Sequence, residues 1–112
     1  MSQHHIPKLP SKEELRKLRS YWVDVNAGKV YNSKGEEVGH QMSNGYIYVQ
    51  VGTRNLKRAN IVWWTATDEW PDLALDHFNR VSTDDRLTNL RPATQRQNML
   101  NGKRRDLVTS RV

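Results

Sequence analysis

The chain contains no cysteine, which excludes disulfides, thiolate zinc sites and a cysteine nucleophile, and fits a reducing compartment. Any metal must be held by oxygen or imidazole, and no zinc is expected. No stretch approaches the roughly 20 apolar residues that span a bilayer, so no membrane partner is expected. The polar start, Met1-Ser2-Gln3-His4-His5, does not read as a secretory leader. Acidic residues are the minority: 12 Asp and Glu against 18 Lys and Arg leave a net charge of +6. A polyanion is the natural partner of such a chain. The basic residues also cluster, with Arg54, Lys57 and Arg58 together and Arg96 followed by Lys103, Arg104 and Arg105. Because no Leu/Phe-rich basic helix accompanies them, nucleic acid is favoured over an anionic membrane.

What is present is enough for one compact domain of 112 residues. Two prolines and no apolar periodicity mark residues 1–10 as a loose arm. Ser11-Lys12-Glu13-Glu14 is a capping box and predicts a helix over about 12–20, with Leu15 and Leu18 on one stripe. From Trp22 to Val51 the period changes to two, punctuated by Gly28, Gly35, Gly39 and Gly45, which predicts short antiparallel hairpins. The clearest strand, 46–51, sets Ile47, Val49 and Val51 on one face and Tyr46, Tyr48 and Gln50 on the other. Residues 54–58 extend this sheet. Asn60 is then expected to cap a helix that runs through Ile61, Trp63, Trp64 and Ala66 and ends at Trp70-Pro71. The last third reads as a strand at 73–78, a polar loop at 79–85, a strand at 86–90 and a helix from Thr94 to about Asn101, stopped by Gly102. The fold class expected is α+β, and the four tryptophans are expected mostly in the core.

The chemistry gathers at Asp76 and His77. Hydrolysis of a phosphodiester needs a base to activate water and a cation to offset charge on the phosphate and the departing 3′ oxygen. A neutral imidazole is a suitable base near pH 7. A single carboxylate suits Mg²⁺, which fills its octahedron largely with water and substrate oxygens. Asn98, one turn into the last helix, is the candidate second ligand. Neighbouring residues of a regular strand face opposite ways, so the two groups can share a site only if the backbone breaks; irregularity is expected at 76–79. The doublet Asp84-Asp85 is read as closing its loop with Arg86 rather than as further metal ligands. Arg91 and Arg96 are candidate phosphate clamps. His4, His5 and His40 lack metal-ligand spacing.

The segments Leu75-Asp76-His77-Phe78-Asn79, Asp84 through Thr94 with its Asn-Leu-Arg-Pro-Ala-Thr run, and Gln97-Asn98 through Asn101 resemble the HNH endonucleases of phages and mobile introns. The resemblance covers roughly residues 57–101. It implies a ββα-metal finger of the H-N-N variant, preceded by a helix and a short antiparallel sheet. It implies His77 as general base, Asn89 as the residue that holds the hairpin loop and orients the base, and Asp76 and Asn98 as ligands of Mg²⁺ or Mn²⁺. Residues 20–52 resemble, more weakly, the β-rich DNA-contacting segment that often precedes the finger. Many relatives carry His-Arg where this chain has Ala59-Asn60. The expected organisation is an arm at 1–10, a helix and DNA-contacting segment at 11–56, a nuclease core at 57–102 and a basic tail at 103–112. The expected partner is duplex DNA, gripped by Arg54, Lys57, Arg58, Arg91, Arg96, Lys103, Arg104 and Arg105, and the expected setting is the cytoplasm of a phage or mobile-element host. The chain would act as a monomer or homodimer. Two alternatives are a non-catalytic DNA-binding module on the same scaffold and a partner of a phage packaging or repair complex.

Overall fold

Ser11 opens the first helix as its sequence predicts: its hydroxyl accepts from the Glu14 amide at 3.1 Å, and the Glu14 carboxylate accepts from the Ser11 amide at 2.9 Å. The structure, a computed structural model, describes residues 9–93. Helix α1 (Lys12–Leu18) ends slightly before the expected residue 20 and buries Leu18. Leu15 and Tyr21 pack against the same core. Trp22 does not; it is 59 % exposed and lies against Tyr31 across the first hairpin, so this tryptophan corrects the core assignment.

The period-two region forms two three-stranded antiparallel sheets. Strands β1 (Trp22–Asp24), β2 (Lys29–Tyr31) and β3 (Glu37–Val38) make the first, and β4 (His40–Gln41), β5 (Ile47–Val51) and β6 (Arg54–Lys57) the second. In β5 the alternation holds, since Val49 and Val51 are buried while Gln50 is exposed. Asp24 shapes the β1–β2 turn by accepting from the amides of Asn26 and Ala27, both at 3.1 Å. This is the local side-chain bonding that makes aspartate a turn residue.

Helix α2 (Arg58–Thr67) follows β6 directly and joins the two halves of the core. Its Ile61 packs with Leu18, Val30, Val49, Val51 and Leu56, while Ala59 and Val62 pack with Leu90. Each fully buried aliphatic side chain of this kind stabilises the fold by about 1.5–3 kcal/mol. Asn60 is not the cap. Lys57 holds that position without a side-chain bond, and Asn60 is buried inside the first turn. The helix also stops earlier than Trp70-Pro71, because Asp68 turns left-handed at φ 64° and sends its amide back to the Trp64 carbonyl.

Two short strands complete the described chain, β7 (Leu75–His77) and β8 (Leu90–Pro92), antiparallel and in register as Leu75↔Pro92, Asp76↔Arg91 and His77↔Leu90. Both are shorter or later than the expected 73–78 and 86–90. Residues Leu87–Asn89 form a 3₁₀ turn instead of a strand, because Leu87 donates sideways to the Val25 carbonyl and Asn89 back to Arg86. The helix expected from Thr94, with Arg96 and Asn98, lies outside the described residues, as do Lys103, Arg104 and Arg105. The described chain is thus a small α+β domain of two helices and short antiparallel sheets. None of its helices is long and apolar enough to cross a membrane.

Candidate active site

Strand β7 ends on His77. Phe78 and Asn79 turn away, the Phe78 amide donates to the Asn89 carbonyl at 2.8 Å, and the Arg80 amide donates to the His77 carbonyl at 2.9 Å. Arg80 occupies the left-handed region at φ 66°, a conformation that costs a non-glycine residue energy and recurs at functional sites. The irregularity falls at 78–80, slightly later than expected. Asp76 and His77 themselves stay in the ladder, opposite Arg91 and Leu90, and both border one cavity of about 260 Å³ together with Tyr46, Arg80 and Ser82.

The loop that returns from His77 to β8 is tied at three points. Asn89, buried, receives the Asn79 amide on its side-chain oxygen at 3.0 Å and donates to the Asn79 side chain at 2.9 Å and the Asp84 carbonyl at 2.8 Å. It holds the loop, but the contact to the imidazole comes from another residue. Asp84 grips Arg86 with both oxygens, at 2.8 Å each. The Arg86 hydrogen bonds hold the Asp84 carboxyl far below its usual range, and the same pair raises the Arg86 pKa. Ser82 donates to the Gly45 carbonyl at 2.8 Å, fastening the loop to the β4–β5 turn.

Asp85 departs from its expected pairing with Arg86. One of its oxygens lies 2.7 Å from His77 Nε2, and the other accepts from Arg58 Nε at 2.9 Å. Arg58 also donates to the Thr83 carbonyl at 2.9 Å. Arg58, Asp85 and His77 are all buried, at 6 %, 2 % and 7 % exposure. Arg58 is therefore corrected from a DNA-gripping surface residue to an internal ion pair. Its charge is compensated inside the fold, so it has little left to offer a phosphate. The Asp84-Asp85 doublet is visible in the sequence; which member meets the histidine depends on a loop path that the sequence does not spell out.

A second groove, of about 290 Å³, meets the first cavity at Tyr46 and His77 and is lined further by Tyr48, Asn55, Lys57 and Trp70. Lys57 Nζ sits 4.1 Å from the centre of the Tyr46 ring. Burial pulls the Lys57 ammonium below its ordinary pKa, opposed by the nearby charge of Asp85. Ala59 and Asn60 also border this groove. Arg54 borders it while paired with Glu14 at 3.0 Å. Arg91 lies across the ladder from Asp76, with its guanidinium 4.3 Å from the Phe78 ring centre.

Among the described residues no three His, Cys, Asp or Glu side chains gather as a metal-binding group. A Mg²⁺ or Mn²⁺ site completed by water and substrate oxygens does not require one, and the Asp76 carboxylate beside His77 is a fitting donor for such a hard cation. The proposed second ligand, Asn98, lies outside the described residues. Compared with family models, with curated proteins and with solved structures, the chain matches none.

Proposed function

We propose that the chain is a metal-dependent DNA endonuclease with its active site at Asp76 and His77. The observation that carries this reading is the shared cavity: a carboxylate and an imidazole from adjacent positions at the end of one strand border the same space. That pairing is what hydrolysis of a phosphodiester asks for. The resemblance of residues 57–101 to HNH endonucleases points the same way.

In this mechanism Asp76, with Asn98, would hold Mg²⁺ or Mn²⁺, which supplies charge neutralisation at the phosphorane and the leaving 3′ oxygen. His77 takes a proton from the attacking water as its oxygen bonds to phosphorus. The bond to the 3′ oxygen breaks, that oxygen takes a proton from solvent, and the products carry 5′-phosphate and 3′-hydroxyl ends. Arg80, exposed on the rim of the cavity, and Lys57 in the adjoining groove are the described cations best set to meet the phosphates on either side.

The test is incubation with supercoiled plasmid in Mg²⁺, Mn²⁺ or EDTA, alongside His77→Ala. Metal-dependent nicking by the wild type, lost in EDTA and in His77→Ala, is expected. A wild type that binds DNA but never nicks it would favour the non-catalytic binding module, and equal nicking by His77→Ala would remove the histidine from the mechanism.

A further inference from the structure

Arg58, Asp85 and His77 form a buried chain of contacts that brings together the first turn of α2, the loop after β7 and the end of β7. A carboxylate whose other oxygen is held by a guanidinium is a hydrogen-bond acceptor toward its remaining neighbour. The proton on the His77 ring therefore belongs on Nε2, where it donates to Asp85. The nitrogen left with a lone pair is Nδ1, on a ring that borders the cavity shared with Asp76.

From this geometry we infer that Asp85 is a positioning residue, one that selects the His77 tautomer and fixes the ring so that Nδ1 acts as the base. Arg58 fixes Asp85 in turn. The inference rests on the nuclease reading for its catalytic consequence and on the contacts alone for the tautomer. The backbone around Asp85 is itself held. Gly28, at φ 70°, abuts the Asp85 carbonyl and the Arg86 amide so closely that an added Cβ would lie 2.5–2.8 Å from them. The Leu87 amide donates to the Val25 carbonyl at 2.9 Å on the same turn. A carboxylate used only to close its loop would not need its backbone pressed against a neighbouring hairpin while both its oxygens reach elsewhere.

The decisive variant is Asp85→Asn. Arg58 still requires an acceptor, so the amide oxygen turns to Arg58 and the amide NH₂ faces His77. The NH₂ can only donate, which puts the lone pair on Nε2 and the proton on Nδ1. The tautomer inverts.

The measurement is the ¹⁵N–¹H correlation of the His77 ring, made without DNA or metal about two pH units above the ordinary imidazole pKa of about 6.5. The Nε2–H form is expected in the wild type and the Nδ1–H form in Asp85→Asn, with the amide spectrum reporting that the fold is kept. An Nδ1–H ring in the wild type overturns the inference whether or not the variant folds, and so does an unchanged tautomer in a folded variant. In plasmid nicking, kcat of Asp85→Asn should fall on the order of 10³-fold with KM little changed, the pattern of a base left in the wrong tautomer. Full kcat in a folded Asp85→Asn sinks the positioning role and leaves the nuclease reading standing. Tautomer inversion in a chain that never nicks DNA does the reverse.

Discussion

Asp76 and Arg91 are directly opposed in the β7–β8 ladder, with Arg91 Nε 3.6 Å from an Asp76 carboxylate oxygen. The contact is longer than a good hydrogen bond, and both side chains are half-buried. A divalent cation at Asp76 would meet Arg91 as a like charge. Arg91→Ala should therefore tighten Mn²⁺ binding to the DNA-free protein, by up to about fivefold, the scale of a loosely aligned ion pair worth about 1 kcal/mol or less. Mn²⁺ titration followed by electron paramagnetic resonance reads this directly. Asp76→Asn should weaken the same binding, and weaker binding in Arg91→Ala would mean that Arg91 assists the cation rather than competing with it.

Gly28→Ala should cost more stability than any other glycine-to-alanine change on a turn of the first sheet. Gly35 provides the comparison: it too has positive φ, at 84°, but nothing lies within 4 Å of its missing Cβ. Gly35→Ala carries only the backbone penalty of about 1 kcal/mol. Gly28→Ala adds a collision with backbone atoms that cannot rotate away, about 1–3 kcal/mol more. Urea unfolding of the two variants measures the difference, and equal midpoints would mean that the turn moves away from the loop at no cost.

Acid should loosen the loop between β7 and β8. The Asp84 carboxyl titrates below its usual range when folded, so its contribution to stability is fully present above the unfolded value of about 3.9 and is lost as pH falls through the folded one. Asp84→Asn lacks this term. The unfolding midpoints of wild type and variant should differ at pH 7 and converge as pH drops below about 4. A constant gap down to strong acid would show that the ion pair with Arg86 contributes nothing.

Lys57 and Arg54 should separate in DNA binding. If Lys57 neutralises one phosphate from the groove, Lys57→Gln lowers the slope of log K against log salt by about 0.9. Arg54 is paired with Glu14, so Arg54→Gln should move the slope less. Fluorescence anisotropy across a salt series distinguishes the two, and identical slopes for both variants would place the backbone contact elsewhere.

Much of this fold follows from local rules. The Ser11-Glu14 box and the alternation along β5 each depend on residues within a few positions of one another, and each stands as the sequence suggests. The alternation of a strand predicts irregular backbone at 76–79, and the break falls at 78–80, just past the pair, while Asp76 and His77 border one cavity from within the ladder. What escaped was set by long-range partners. Arg58 reads as one member of a basic surface cluster until the loop from β7 brings Asp85 to it across 27 positions. Asn60 has a good capping side chain, yet the helix starts three residues earlier, capped at Lys57, because β6 runs into it without a loop. Residues 86–89 alternate like a strand but serve the Val25 carbonyl and their own turn.

The close approach of Gly28 to residues 85 and 86 also bears on how portable this site is. Residues 57–101 cannot be lifted out as a cassette and grafted onto another protein, because the groove that seats their loop is formed by the first hairpin. Removal of residues 22–31 should unseat this loop, although the cut lies far from Asp76 in the chain. Variation in the length of the β1–β2 turn would be felt at the histidine before it was felt in the sheet.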